Sequence, residues 1–168
     1  MIEMKVAGIA LDAVSRSPIV LLKDSIDSRA LPIYISQDQA RAIMSALEDE
    51  TPPRPLTHDL LVNILDTWDL NVERVVIHTL QDSTFYAVLT VVQGKNKKEI
   101  DCRPSDAIAI ALRADSPIWV MEEVVADASI PVDREADQAE QEEFRNFLAN
   151  VSPNDLIKNA GLSSNDAS

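Results

Sequence analysis

Residues 99–120, EIDCRPSDAIAIALRADSPIWV, change character three times within one short stretch. A strand-like EIDC leads into the polar group RPSD at 103–106, and a nearly uninterrupted apolar run follows at 107–112. A proline that needs no N–H partner, a hydroxyl able to cap free N–H groups and an acid at the positive helix end predict a helix over about 105–114. The apolar PIWV at 117–120 predicts a further strand.

Outward from this stretch, the hydrophobic period switches repeatedly between strand and helix spacing. Helical spacing is found in QDQARAIMSALED and again in HDLLVNILDTW, for which Thr57 is a good N-cap. We therefore predict an α/β (α+β) fold, a single compact domain with a mixed, largely antiparallel sheet flanked by helices. The predicted strands cover residues 2–14, 18–23, 30–36, 74–80, 84–92 and 99–102. In the second helix the core spacing falls on Leu60, Leu61, Ile64, Leu65 and Trp68.

The character of the chain changes after Val132, where acidic residues become frequent. Residues 127–168 carry three basic and nine acidic side chains, and they supply nearly half of the formal net charge of −13. We predict two regions: a folded domain at 1–132, and an acidic helical C-terminal extension with a frayed tail at 133–168. The acidity opposes a nucleic-acid role, because phosphate contacts need Lys and Arg, but it leaves room for a local basic groove. The extension could dock onto a basic protein partner or cover that groove.

Glycine and cysteine usage excludes several common kinds of site. The three glycines, Gly8, Gly94 and Gly161, are far apart, which excludes a P-loop or dinucleotide fingerprint and predicts no nucleotide cofactor. One cysteine, Cys102, and two histidines exclude an internal disulfide and the usual structural zinc sets. The single thiol fits a cytoplasmic location, and the hydropathy pattern predicts neither a membrane span nor a signal peptide.

RPLTHDLL, residues 54–61, opens like the RPSD group, with Arg-Pro followed by a hydroxyl and an acid. One interpretation is structural, because each opening describes a capped amphipathic helix with a solvated polar face. The other is functional: a helix N-terminus beside a guanidinium binds anions, with Arg103 as the clamp and Asp106 as a metal ligand or base. By the same reasoning His58 is a candidate general base and Asp59 a ligand for a hard cation. Two such openings suggest one shared cleft.

Three other side chains have a structural interpretation first. His78 alternates with apolar residues inside a strand, which favours a packed layer. Asp82 lies in the QDST turn, where an Asp side chain hydrogen-bonds its own backbone. Cys102 is more typical of a small buried apolar residue than of a nucleophile, because no base partners it in the sequence.

With the blocks RPLTHDLL, VVIHTLQDSTFYAVL and IDCRPSDAIAIALRADSPIWV, the chain resembles the bifunctional nuclease domain family of bacteria and plants over about residues 4–125. The resemblance implies a compact α/β domain, self-association into a homo-oligomer (a dimer or larger), and hydrolysis of RNA and DNA. A divalent cation, Mg²⁺ or Mn²⁺, is expected with that activity. Family members usually show Gly and Glu where this chain has Ser36 and Gln39. They often show Ser at the position of Cys102 and Gly at that of Asp115.

Two hypotheses follow. The first is a metal-assisted phosphodiesterase acting on RNA and DNA. It assigns catalysis to His58, Asp59, Arg103 and Asp106, the metal to Asp59 and Asp106, and substrate binding to Arg54, His78, Asp82 and Ser105. The alternative is a non-catalytic oligomeric binding or regulatory module that uses the same anion-binding helix N-termini, which the net charge and Gln39 favour.

Overall fold

One mixed sheet is the framework of the protein, whose structure is a computed structural model that describes residues 1–26, 28–49 and 51–132. Its strands are β1 (Ile2–Leu11), β2 (Pro18–Asp24), β3 (Arg29–Tyr34), β4 (Asn71–Gln81), β5 (Thr84–Gln93), β6 (Asn96–Cys102), β7 (Ile118–Val120) and β8 (Ile130–Pro131). They lie in the order β6-β5-β4-β7-β1-β2-β3-β8. Within the described ranges only β4 and β7 pair in parallel, and every other neighbouring pair is antiparallel. The predicted fold class, a mixed and largely antiparallel sheet in an α/β domain, is confirmed.

Four helices accompany the sheet in the described part of the chain: α1 (Gln37–Leu47), α2 (Thr57–Thr67), α3 (Pro104–Ala114) and α4 (Glu122–Ala128). The apolar run that follows the RPSD group explains the place of α3, which contacts β4, β5, α1 and α2. Its residues from Ala107 to Ala111 are all buried. Small alanines alternate there with isoleucines, so the backbone of α3 comes close to the sheet while the larger side chains fill the core.

Strand ends differ from the prediction where a polar side chain or a turn intervenes. β1 ends at Leu11 rather than continuing to residue 14, because the Asp12 carboxylate accepts the N–H groups of Val14 and Ser15 at 3.1 and 2.6 Å and starts a turn. β6 begins at Asn96, three residues earlier than predicted. The preceding turn is short, because Gly94 adopts a left-handed backbone with φ of +57°.

The prediction that five apolar residues of α2 enter the core is wrong. Only Leu65 is buried, whereas Leu60, Ile64 and Trp68 are 53%, 46% and 68% exposed. The reason is that α2 packs mainly against α3 and not on the sheet, so one narrow edge of the helix is covered. Periodicity identifies an apolar face correctly, but it does not say whether a neighbour covers that face.

The structure adds α4 and β8 between residues 122 and 131, where no element was predicted. The acidic helical extension predicted at 133–168 lies outside the described residues. Within the described ranges, no helix is long and apolar enough to cross a membrane.

A candidate active site at three helix starts

The two helix starts that open with Arg-Pro come together in the fold. His58, in the first turn of α2, places its Nε2 atom 3.0 Å from Oδ1 of Asp106, in the first turn of α3. Both side chains are mostly buried, with 17% and 25% of their side-chain surface exposed. The two helix starts, which the repeated Arg-Pro opening suggested would share one cleft, therefore contact each other directly.

The second oxygen of Asp106 binds a guanidinium. Nε of Arg103, the N-cap residue of α3, donates to Asp106 Oδ2 at 2.6 Å, and the Arg103 side chain is 68% exposed. Burial raises the pKa of Asp106, but the hydrogen bonds from Arg103 and His58 outweigh burial, and the pKa lies below its ordinary value of 3.8. The same contact raises the pKa of Arg103. Asp106 is therefore a carboxylate that bridges an arginine and a histidine.

A third helix start, that of α1, borders the same place. Ser36 and Gln39 form a reciprocal capping box: the Gln39 N–H donates to Ser36 Oγ at 3.3 Å, and the Ser36 N–H donates to Gln39 Oε1 at 2.8 Å. The two residues that depart from the family's usual Gly and Glu thus act together as a cap. The S-x-x-Q spacing is the signal that could have identified Ser36 as the N-cap of this predicted helix.

An open cavity of about 820 Å³, the three-helix cavity, lies between these helix starts and strands β5 and β6. The first turns of all three helices line it, so three positive helix ends border one space that favours an anion. Its polar or charged wall is formed by Asp38, Gln39, Arg41, Thr57, His58, Asp101, Arg103 and Asp106. Its remaining wall is formed by Ala42, Leu56, Leu61, Leu65, Leu89, Ile100, Cys102 and Ile110. Arg41, on the exposed side of α1, was not predicted, because a single Arg in a helix carries no distinguishing pattern.

The hydroxyl groups expected to cap α2 and α3 do not do so. The N-cap positions are Leu56 and Arg103, and Thr57 is already the first helical residue of α2. Proline as the first residue of α3 moves the helix start one residue ahead of the expected cap. At α2 the orphan N–H of Leu56 is satisfied instead by Oδ2 of Asp59, at 2.8 Å.

Asp59, which was predicted to bind a hard cation, pairs with an arginine. Its Oδ1 accepts Nε of Arg113, near the end of α3, at 2.6 Å, and this hydrogen bond lowers the pKa of Asp59. Arg113 also donates to the carbonyl oxygens of Ala42 at 3.0 Å and Ala109 at 2.8 Å, so one arginine joins α1, α2 and α3. Asp59 lines a second, smaller cavity of about 380 Å³. Sequence reasoning missed Arg113, since its partners are distant in sequence.

The four residues assigned to substrate binding are dispersed. Arg54 is exposed and makes no hydrogen bond or ion pair with other described residues. His78 lies in β4, half-buried, with Nδ1 2.8 Å from Thr79 Oγ1. Asp82 has φ of +48° in the two-residue turn between β4 and β5, the backbone that such a hairpin turn requires. Ser105 is 5% exposed and lines a small cavity of about 250 Å³ that it shares with Arg103.

The carboxylates present do not fit a cation held by the protein alone. Asp59 and Asp106, the two expected ligands, line different cavities. Each of them accepts hydrogen bonds on both oxygens. Among the residues that the structure describes, no three His, Cys, Asp or Glu side chains are grouped to share a metal ion. A hard cation needs several free oxygen ligands, and none of the steps proposed below depends on one.

Cys102 lies in the wall of the large cavity as a protonated thiol. Burial, followed by the nearby carboxylates of Asp101 and Asp106, raises its pKa to about 11. Its Sγ lies 3.7 Å from the carbonyl oxygen of Ala87, to which the thiol donates. A thiol in this state is a poor nucleophile, in agreement with the structural interpretation of this residue.

Comparison with known proteins gives one consistent relationship. The bifunctional nuclease domain matches residues 20–133. An uncharacterized protein of Mycobacterium tuberculosis is 39% identical over 162 residues, covering 92% of this chain and 97% of that protein. This match reaches into the acidic C-terminal segment, because 92% of the chain is more than residues 1–132 contain.

Two plant proteins share a shorter region. Bifunctional nuclease 1 of Oryza sativa subsp. japonica is 26% identical over 124 residues, covering 72% of this chain and 38% of the rice protein. Bifunctional nuclease 2 of Arabidopsis thaliana is 29% identical over 107 residues, covering 62% of this chain and 32% of its own length. The residues of the three-helix cavity fall within the matched domain. The chain therefore belongs to the bifunctional nuclease domain family.

Proposed function

We propose that this protein hydrolyses phosphodiester bonds of RNA and DNA in the three-helix cavity. The observation that carries the proposal is the contact network in which Asp106 holds His58 at 3.0 Å and Arg103 at 2.6 Å. The names of the plant relatives support the reaction class, because both are called bifunctional nucleases. A proton acceptor, a cation for the phosphate and a carboxylate that orients both are the parts such a reaction needs.

In the proposed reaction Nδ1 of His58 takes the proton, and the contact of Nε2 with Asp106 supports this choice of nitrogen. Asp106 is ionised at neutral pH because its pKa is lowered, so it accepts a hydrogen bond from Nε2–H of His58. That tautomer leaves Nδ1 with a lone pair. In the proposed step Nδ1 removes a proton from water while the water oxygen attacks phosphorus. The bond from phosphorus to the leaving oxygen breaks, and that oxygen is protonated by solvent. General-base help of this kind is worth about 10²–10⁴-fold in rate.

Arg103 stabilises the negative charge that develops on the phosphate. Its Nε is committed to Asp106, and its terminal nitrogens form no hydrogen bond with other described residues. Arg41 on α1 provides a second cation on the cavity wall. Removal of one such donor costs about 10²–10³-fold in turnover in well-studied sites.

Assistance by Mg²⁺ or Mn²⁺ stays a prediction, and the occupied carboxylates predict that any cation arrives with the substrate phosphate. The test is cleavage of labelled RNA and DNA by wild type and by His58→Ala and Asp106→Asn, purified identically, with Mg²⁺, Mn²⁺ or EDTA. We expect both variants to lose at least about 10²-fold in rate. His78→Ala is the matched control, since the other histidine does not line the cavity, and it should cleave at the wild-type rate.

The alternative function is a non-catalytic binding or regulatory module that uses the same helix ends. It would bind nucleic acid equally well with EDTA present and would cleave nothing at any metal concentration. Equal traces of cleavage in wild type and in both variants would point to a contaminating nuclease and would favour this alternative.

We also propose that the chain self-associates, as the family resemblance implies. The exposed apolar side chains of α2, Leu60, Ile64 and Trp68, support this proposal, because contiguous apolar surface marks interaction sites. Sedimentation velocity over a range of concentrations tests it. We expect a dimer or larger species in wild type and a shift towards monomer in Trp68→Lys, and a wild-type monomer at every concentration would contradict it. A basic protein partner for the acidic segment and a cytoplasmic location remain predictions.

A further inference from the structure

The cavity is larger and more apolar than a phosphate site needs. Its charged and ionisable groups, among them His58, Arg103 and Asp106, share the wall with apolar side chains. Leucines and isoleucines of α2, α3, β5 and β6 line the same space. A volume of about 820 Å³ lies within the range of sites that enclose an organic ligand.

Apolar side chains at this cavity are also left open to solvent. Leu56, Leu61 and Ile100 line the cavity and are 40%, 38% and 48% exposed. A phosphate group bound at Arg103 would leave their surface in water. A flat ring with apolar faces beside that phosphate would cover it, and covering apolar surface is favourable in proportion to the area removed from water.

We infer that the cavity holds an unpaired nucleobase beside the phosphate that Arg103 binds, so that single-stranded nucleic acid is the substrate class. This inference rests on the proposed function and makes it more specific. A base in a duplex is stacked and paired, and it reaches a side pocket only after it has been unstacked. A single strand presents the same base without that cost.

The charge around the cavity favours the same substrate class. Arg41 and Arg103 are the arginines on the wall, and they share it with Asp38 and Asp101 in addition to Asp106. These two arginines can neutralise one or two phosphates of a single strand. A duplex carries twice the charge per step, and this acidic protein offers it little compensation.

Fluorescence anisotropy with three probes of equal length tests the inference on the His58→Ala variant, which lacks the proposed general base, so that binding is read without cleavage. The probes are a labelled single-stranded DNA of mixed sequence, its duplex, and an oligomer of abasic deoxyribose phosphates. We expect the single strand to bind at least tenfold more tightly than either of the others. An abasic oligomer or a duplex that binds as tightly as the single strand would overturn the inference, and so would a single strand that fails to bind.

Two exposed leucines provide a matched pair of variants. Leu47 on α1 and Leu61 on α2 are 40% and 38% exposed, but only Leu61 lines the cavity. In the His58→Ala background, Leu61→Gln should reduce the preference for the base-containing strand over the abasic oligomer at least threefold, whereas Leu47→Gln should leave it unchanged. Equal preference in the two variants, with wild-type thermal unfolding in both, would overturn the placement of the base.

The outcomes separate this inference from the proposed function. Base-dependent binding without any cleavage would support the inference and contradict the hydrolysis. Cleavage that is lost in His58→Ala but occurs equally on single and double strands would support the hydrolysis and overturn the inference.

Discussion

At the scale of single residues, Asp106 shows how one side chain serves both interpretations of its sequence. As an acid in the first turn of α3 it is favourable whatever its function. Its two oxygens nevertheless bind side chains and not the backbone N–H groups of the turn: His58 of α2 and the exposed Arg103. Only the fold could distinguish it from Asp59, which has the same place in α2 but pairs with Arg113. The sequence predicted both acids equally.

The lowered pKa of Asp106 predicts a pH dependence of stability. Because its folded-state pKa lies below the ordinary 3.8, ionised Asp106 stabilises the fold at pH values above 3.8, and this stabilisation is lost as the pH falls through the lower folded-state value. The free energy of unfolding in urea should therefore differ between wild type and Asp106→Asn by a constant amount near neutral pH. The difference should shrink in the acid range below 3.8.

Arg103→Gln serves as the companion variant in that experiment, since it removes one of the two donors that lower the pKa. In Arg103→Gln too, the stability that ionised Asp106 contributes should be lost in the acid range below 3.8. A difference between wild type and Asp106→Asn that grows as the pH falls would contradict the assigned contacts.

The raised pKa of Cys102 predicts an unreactive thiol. With a pKa of about 11, its thiolate fraction at pH 8 is about one in a thousand. Alkylation by iodoacetamide at that pH should be roughly tenfold or more slower than that of glutathione, and urea should restore an ordinary rate. Fast alkylation of the folded protein would contradict the buried, acid-flanked environment of the thiol.

At the scale of elements, aspartate occupies the left-handed backbone position after three helices, in a chain that has only three glycines. Asp49 and Asp69 follow α1 and α2, Asp115 ends α3, and all three have φ between +50° and +52°. This left-handed backbone usually takes Gly, and Asp is among the residues that tolerate it. The sequence could predict that helices end near these positions. It could not predict the backbone conformation, because Asp is equally common in ordinary turns.

Replacement of Asp115 by Gly should stabilise the protein. Asp115→Gly relieves the left-handed strain and removes a negative charge from the negative end of α3, a gain of about 0.5–1 kcal/mol. Calorimetry should show a melting temperature raised by about 3 °C. Asp115→Asn, which removes only the charge, should fall between wild type and the glycine variant. A lower melting temperature for Asp115→Gly would contradict the assigned conformation.

Replacement of Arg113, which joins α1, α2 and α3, should destabilise the protein by more than Asp115→Gly stabilises it. Its side chain is 9% exposed and bonds to three helices, so Arg113→Ala leaves Asp59 and the Ala42 carbonyl without their partner. Removal of one partner from a mostly buried pair costs about 3 kcal/mol. A double-mutant cycle with Asp59→Ala, followed by urea unfolding, measures the coupling of the two side chains. Arg54→Ala, at an exposed arginine with no hydrogen bond or ion pair to the described residues, should change stability by less than about 0.5 kcal/mol.

At the scale of the whole molecule, local patterns predicted the fold class and the two helix starts, because hydrophobic period and proline position are encoded locally. What they could not predict was that the start of α1 lies beside the other two, that Arg113 pairs with Asp59, and that α2 is largely exposed, since each depends on which elements become neighbours. The site is therefore a product of topology. The parallel pairing of β7 with β4 requires α3 to cross the sheet, and this crossing places the start of α3 beside those of α1 and α2.

The acidity of the whole molecule predicts how its binding responds to salt. The protein carries a net charge of −13, and the cations on the wall of the cavity are Arg41 and Arg103. One or two phosphate contacts to a single strand give a slope of about −1 for log K against log salt concentration. Arg103→Ala should make this slope shallower by about 0.7, whereas Arg54→Ala, outside the cavity wall, should leave it unchanged. A wild-type slope of about −4 or steeper would require about six phosphate contacts and would place the nucleic acid on a surface other than this cavity.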